Sequence, residues 1–362
     1  ALAGGERWRL QDEATGLPWQ PASRHALVLD WQQVQRSLPQ LAGVTSSGGR
    51  LVLQGNQEQY RLTGQLALAG ERLPAGEWQL ELAGAQRQLV VDRLRYQGDA
   101  GELQAGGELD FRQGLRWQGA LSLAGFATGW WLPEWSGQFS GTVSGRGALQ
   151  GPRRELHVDD VALTGQLRER PLRLDGVLSL AVDGQRRLPR ASSPGLALAW
   201  GENRLQLAGD LADAWNGRLQ LAFAEPELLL PGTAGRLEGS LNLVGPVERP
   251  DLLVDLQGSA LAVAGAEAAT ARLQGRVAAL GDADSRLELA LGELSVRGLA
   301  LGELGLTLQG ERQRHALNWG LAGGGVTSDG RLEGGMVGAG NDWSGRLAEA
   351  GLAYAGLDWR LA

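Results

Sequence analysis

Apolar and polar residues alternate along most of this chain. Leu115, Trp117, Gly119, Leu121 and Leu123 share one parity, while Arg116, Gln118, Ala120 and Ser122 fill the other. Period two marks a strand with one buried face, because successive side chains point to opposite sides of a sheet. A helix would need apolar positions three and four apart. One phrase recurs, a glycine followed by leucines at the second and fourth positions after it. It supplies Leu66 and Leu68, Leu121 and Leu123, Leu178 and Leu180, Leu219 and Leu221, and Leu241 and Leu243. Leu205 and Leu207, Leu287, Leu289 and Leu291, and Leu304, Leu306 and Leu308 follow the same spacing. Strands therefore start about every ten to fifteen residues, with glycine-rich turns between them, which predicts a hairpin-connected antiparallel meander.

A longer repeat overlies the short one. Pro133 and Pro231 are 98 residues apart, as are Gly137 and Gly235, Gly141 and Gly239, and Gly147 and Gly245. Each block opens on a short apolar piece, near 129 (Gly129-Trp130-Trp131) and near 227 (Glu227-Leu228-Leu229), which a proline ends. These pieces read as single helical turns at the sheet's edge. Self-similarity at such a period points to a quasi-one-dimensional protein. Residues 1–48 are less regular, and Asp30-Trp31-Gln32-Gln33-Val34-Gln35 suits a strand or a short helix. Residues 49–362 read as one continuous repeat. Ser192-Ser193-Pro194-Gly195 is the best candidate for a linker, and it is brief.

Roughly two dozen strands about 4.8 Å apart span on the order of 100 Å. A leucine-rich face of that length cannot be left to water, since each exposed leucine forfeits about 1.5–3 kcal/mol. The sheet must close into a barrel, pack on a second sheet or curl around an apolar occupant. A membrane barrel calls for aromatic girdles and long loops on one side, but here the loops are short and the tryptophans scattered. Sandwich domains call for linkers. The expected fold is therefore all-β, an elongated antiparallel meander curled into a U-shaped trough with an apolar groove. Its lining is Leu66, Leu68, Leu121, Leu123, Leu178, Leu180, Leu205, Leu207, Leu219, Leu221, Leu241, Leu243, Leu287, Leu289 and Leu291.

Composition removes several chemistries. Of 362 residues, 56 are glycine and 13 proline, and 43% are hydrophobic, which suits neither collagen nor plain disorder. There is no cysteine, so no thiol nucleophile, cysteine-ligated zinc or disulfide frame. All 34 basic residues are arginine; without lysine there is no Walker A loop and no Schiff base. The net charge of −7 disfavours nucleic acid, which needs a basic stripe. No run of 18 apolar residues predicts a transmembrane helix, and no signal peptide is legible. The final residues, Gly356 to Ala362, alternate like a strand to the last position, as in a piece of a longer protein.

Candidate chemistry is sparse. His25, His157 and His315 lack the spacing of a metal site. Asp159-Asp160 and Asp282 with Asp284 read as turn carboxylates without EF-hand spacing. Gly145-Arg146-Gly147 with Gly151 superficially matches a dinucleotide loop, but its last spacing is wrong and turn glycines are the better reading. There is no Gly-x-Ser-x-Gly elbow and no His-Glu-x-x-His. The chain is expected not to be an enzyme and to hold no cofactor or metal. Trp130, Trp131, Trp135, Trp200 and Trp319 suit groove rims or, more simply, packing.

Several phrases together carry a resemblance. They are Trp130-Trp131-Leu132-Pro133-Glu134-Trp135-Ser136-Gly137 followed by glycine–leucine strands, and Leu163-Thr164-Gly165-Gln166-Leu167-Arg168-Glu169-Arg170-Pro171-Leu172. Trp200-Gly201-Glu202-Asn203-Arg204-Leu205, Ala234-Gly235-Arg236-Leu237-Glu238-Gly239 with Pro250 after it, and Asn341-Asp342-Trp343-Ser344-Gly345-Arg346-Leu347 follow in order. Over residues 30–362 this succession resembles the middle of the TamB family of AsmA-like proteins, a component of the translocation and assembly module. The resemblance implies a Gram-negative protein anchored in the inner membrane, crossing the periplasm as a β-structure with a hydrophobic groove. It implies an Omp85-type outer-membrane barrel, TamA, as partner of parts outside this segment. It also implies roles in phospholipid movement between the membranes and in outer-membrane biogenesis, including protein secretion. Two functions follow as expectations. The first is a bridge segment that shelters phospholipid acyl chains; the second is a scaffold capturing unfolded outer-membrane proteins by strand addition. A polysaccharide-active β-helix enzyme would need clustered carboxylates, which the sequence lacks.

Overall fold

The computed structural model describes residues 7–12, 25–34, 44–56, 58–70, 73–130, 133–184, 190–212, 214–247, 249–278, 283–337 and 342–361. They form two compact units, Ala1–Arg190 and Ala191–Ala362. The first unit contains β1 (Arg7–Asp12), β2 (His25–Val34), β3 (Val44–Gly55), β4 (Gln59–Gly70), β5 (Leu73–Ala85) and β6 (Gln88–Gly98). It continues with β7 (Gly101–Asp110), β8 (Leu115–Ala127), β9 (Gly137–Gln150), β10 (Arg153–Leu167) and β11 (Arg170–Asp183). The second contains β12 (Arg190–Trp200), β13 (Asn203–Leu211), β14 (Ala214–Phe223), β15 (Thr233–Pro246), β16 (Asp251–Val263) and β17 (Ala266–Ala278). It ends with β18 (Ser285–Val296), β19 (Leu299–Glu311), β20 (Arg314–Gly323), β21 (Val326–Val337), β22 (Asp342–Tyr354) and β23 (Leu357–Leu361).

The fold is all-β, as the alternation requires. Within each unit every strand pairs antiparallel with its neighbours in the chain, from β1–β2 through β10–β11 and from β12–β13 through β22–β23. Among the described residues no pairing closes either sheet. The segment that suited strand or helix lies in β2; Gln35 is outside the described residues. The boundary near residue 48 falls inside β3, and Ser192-Ser193-Pro194-Gly195 is part of β12, at a bulge between Ser193 and Leu196.

Among the described residues the helical component is two single 3₁₀ turns, Pro133–Trp135 after β8 and Pro226–Leu228 after β14. One correction concerns the prolines. Pro133 opens its turn, as does Pro226, whereas Pro231 follows the second turn; a fixed φ and a missing N–H suit proline to the first helical position. Trp131 and Leu132 lie outside the described residues. The 98-residue spacing has a structural meaning, because it superposes β8 on β14, six strands later. Trp117, Gly119, Leu121 and Leu123 correspond to Trp215, Gly217, Leu219 and Leu221. Gly141 and Gly239 then occupy matching places, opposite Leu123 and Leu221. Both have positive φ (131° and 144°), and a Cβ on either would strike a carbonyl of the next strand, that of Ala162 or Asp255. Only glycine fits such a bend.

Candidate apolar groove

The strand registers place the repeated leucines in rows that run across the sheets. In the second unit one row reads Leu196, Leu207, Leu219, Leu241, Val254, Gly275, Leu287, Leu308, Leu317, Leu332 and Leu347, one residue from each strand β12 to β22. A parallel row reads Leu198, Leu205, Leu221, Gly239, Leu256, Leu273, Leu289, Leu306 and Trp319. In the first unit Leu29, Leu51, Gly64, Leu80, Leu94, Ala105, Leu121, Val143 and Val161 form one row from β2 to β10. Trp31, Gly49, Leu66, Trp78, Tyr96, Leu103, Leu123, Gly141 and Leu163 form the next. Directly opposed residues in an antiparallel ladder share a face, so each unit has one apolar face without a polar interruption in these rows. Leu243 lies opposite Leu252, Leu68 opposite Gly76, Leu291 opposite Leu304, and Leu178 and Leu180 opposite Val158 and Leu156.

All fifteen leucines read from the sequence as groove lining are half-buried; none is buried and none exposed. A closed core would bury them. Among the described residues only thirteen apolar side chains are buried; Tyr96, Ala100, Leu103 and Phe126 cluster and the rest are dispersed. Eleven strands about 4.8 Å apart with rows about 7 Å apart give the second unit an apolar face on the order of 700 Å². Monomers usually show no apolar patch beyond about 300–600 Å².

The opposite face is polar and laced with ion pairs, such as Arg146–Asp159 at 2.7 Å, Arg276–Asp251 at 2.9 Å and Arg93–Glu81 at 3.3 Å. Exposed pairs of this kind contribute about 0–1 kcal/mol each; their work is solubility. Asp159 and Asp160 lie within β10 at its bulge, not at a turn, which corrects the expectation. Asp284 precedes β18, and Asp282 is outside the described residues. Gly145 and Gly147 also lie mid-strand, in β9, rather than in a turn; Gly151 is in the β9–β10 turn. The Trp117 indole covers Gly147 so closely that a Cβ has no room.

The tryptophans divide. Trp200 is 3% exposed. Trp319 covers Gly330 and donates to Ser328 Oγ at 3.1 Å. Trp130 donates to the Ala127 carbonyl at 2.7 Å and meets Phe126 edge-on at 6.2 Å. Trp135 is 47% exposed under the Arg168 guanidinium, 4.4 Å from the ring centre. These are mostly packing residues.

Each sheet has two long margins, one of which carries the 3₁₀ turn. At that margin in the first unit, Trp78, Tyr96, Phe126 and Trp130 pack in sequence, with Trp78–Tyr96 centres 4.8 Å apart and Tyr96–Phe126 5.9 Å apart. Tyr96 is fully buried; its hydroxyl donates to the Ala75 carbonyl at 2.9 Å and accepts from the Ala100 N–H at 3.1 Å. At that margin in the second unit, buried Asn203 exchanges two hydrogen bonds with the Glu225 backbone, at 2.7 and 2.9 Å.

Sequence reasoning missed part of the face because bulges switch its parity. Leu89 and Val91 give way to Leu94 and Tyr96 in β6, and Leu156 and Val158 to Val161 and Leu163 in β10. Leu294 follows Leu291 in the same manner. The aromatic cluster lacks any recurring phrase. Among the described residues no group of three or more histidine and carboxylate side chains could hold a metal, and no helix is long and apolar enough to cross a membrane.

Residues 10–362 match the family model described as TamB, N-terminal domain. The chain belongs to the TamB family. The matched domain is the N-terminal one by description, whereas the resemblance pointed to the middle of such a protein. A relative, the translocation and assembly module subunit TamB of Haemophilus influenzae, is 25% identical over 246 residues, covering 68% of this chain. The alignment covers only 19% of that relative's length. No solved structure matches.

Proposed function

We propose that this TamB-family segment shelters lipid acyl chains on its leucine face, as one stretch of a periplasmic bridge between the inner and outer membranes of a Gram-negative envelope. The observation that supports this reading is the run of in-register apolar rows through β2–β10 and β12–β22 whose leucines stay half-buried. In this reading each unit's sheet curls about its own leucine face, with bends at positive-φ glycines such as Gly141 in the first and Gly239 in the second. An acyl chain gains about 0.8 kcal/mol per methylene on leaving water. A bilayer offers the same, so chains can enter the groove, slide and leave at little net cost. The role is binding and passage rather than catalysis.

Strand capture of unfolded outer-membrane proteins is less well supported. Among the described residues each interior strand of either unit already pairs on both edges, so free backbone edges are confined to the end strands. The test is organic extraction and mass spectrometry of the full chain, expressed in a bacterial periplasm and freed of detergent. Co-purified phospholipid, lost when Leu241 becomes arginine, is expected. Lipid-free protein that remains soluble and folded would refute the reading.

A further inference from the structure

We infer that the margin opposite the 3₁₀ turns holds a series of sites for the anionic phosphodiester headgroups of glycerophospholipids. The inference rests on the acyl-chain reading above. A lipid lying on the leucine face must carry its polar end over one of the two margins. The margin with the 3₁₀ turns is unsuitable, because buried aromatics and the Asn203–Glu225 bonds occupy it. Among the described residues the opposite margin carries cavities in both units.

In the first unit, a cavity of about 610 Å³ lies at the β3–β4 and β5–β6 turns and one of about 430 Å³ at the β7–β8 and β9–β10 turns. In the second unit, one of about 860 Å³ lies at the β19–β20 turn and the facing ends of β21 and β22. All three are within the size of ordinary small-molecule clefts. The chain has three histidines, and each cavity contains one, His25, His157 and His315 respectively.

The arginines make the stronger case. Several carboxylates of these cavities are already engaged: Asp110 by Arg112 at 2.7 Å, Glu155 by Arg153, Glu333 by Arg331 and Arg346 at 2.9 and 3.1 Å, and Glu108 by the Gln88 and Gln118 amides; Asp284 and Glu311 also line the third cavity. Each cavity also contains one arginine with which no carboxylate pairs among the described residues, Arg61, Arg116 and Arg314 in turn. Arg116 acts on Asp110 only through space. Each of these three is one position from a residue of the apolar parity, Tyr60, Trp117 or His315. Its guanidinium sits on the polar side at the strand end, while its alkyl stem can lie along the margin. A guanidinium fork matches a phosphate's paired oxygens. A headgroup turned over the edge would meet it while the chains stay on the leucines.

The test is calorimetric titration of the full chain with dihexanoyl phosphatidylglycerol, with uncharged dihexanoylglycerol and with inorganic phosphate. The same series is run on the triple variant Arg61→Gln, Arg116→Gln, Arg314→Gln, whose thermal unfolding confirms its fold. The phospholipid should bind about tenfold or more tighter than the uncharged lipid. That preference should shrink with added salt and vanish in the variant, whose affinity for dihexanoylglycerol stays unchanged. Equal affinity for the two lipids in the native chain overturns the headgroup sites and leaves the groove standing, as does a preference that survives in the variant. Phosphate binding as tightly as phospholipid also overturns them, in favour of a free-anion site. Binding of neither lipid refutes the acyl-chain reading itself, and the headgroup sites with it.

Discussion

The sharpest perturbation of the proposed groove is Leu241→Arg. Leu241 is half-buried in β15, flanked on its row by Leu219 and Val254, with Leu243 two positions along the strand. Because the residue is only half-buried, an arginine there can extend its head to water, so the fold should lose only about 1 kcal/mol. A chain in the groove has no such escape. One strand spacing of about 4.8 Å is the length of roughly four methylenes, each worth about 0.8 kcal/mol. Displacing them costs about 3 kcal/mol, which weakens occupancy at that point on the order of a hundredfold. The control is Gln220→Arg, the same charge added to an exposed residue of the opposite face, two strand positions from Ala222 and one from Leu221. The assay is phospholipid per protein by mass spectrometry, beside urea unfolding midpoints. Leu241→Arg should empty the groove with a nearly unchanged midpoint, and Gln220→Arg should change neither. Equal lipid loss in both variants, or native loading in Leu241→Arg, would refute the assignment of the leucine face as the groove.

Other parts of the structure give further expectations. Gly239→Val should lower stability by about 2–3 kcal/mol, since φ of 144° and the Asp255 carbonyl both oppose a side chain, whereas Gly195→Ala, with open space around it, should be near neutral; urea midpoints decide. Tyr96→Phe should cost about 1–3 kcal/mol, because it strands the buried Ala100 N–H, while the Ala75 carbonyl keeps the Asp99 N–H; an unchanged midpoint would contradict that. The Arg112 hydrogen bonds hold the Asp110 carboxyl down at about 2, from 3.8. Any stability from this pair is therefore present above the unfolded carboxylate's pKa and lost as pH falls from about 4 towards 2, and Arg112→Gln should raise the Asp110 pKa only part of the way in a carboxyl NMR experiment, since the residue-112 backbone N–H and Arg116 still lower it. Asn203→Ala should loosen the second 3₁₀ turn at the cost of two hydrogen bonds to Glu225, seen as faster amide exchange there than in β14.

The sequence by itself determined that the chain is a meander and which residues of a strand stay together. Side-chain direction has period two, so Leu219 and Leu221 must share a face whatever surrounds them. The repeated glycine phrase marked strands rather than turns, since Gly64, Gly119, Gly176, Gly217 and Gly239 all lie within strands, and the 98-residue spacing identified β8 and β14 as equivalent strands. Register was decided by the tertiary structure. A bulge adds one residue to one strand, and that residue moves every later side chain to the other face. This is why Val161 and Leu163 join the leucine face although they oppose Leu156 and Val158 in parity. The aromatic cluster of Trp78, Tyr96, Phe126 and Trp130 gathers residues from three strands and the segment after β8, so no local pattern could announce it. The same holds for Arg61, Arg116 and Arg314. In the sequence they are three of 34 arginines; they stand apart only once the strand ends gather them into cavities, Arg61 with no carboxylate and Arg116 and Arg314 beside Asp110, Glu155 or Glu333, which other arginines bind.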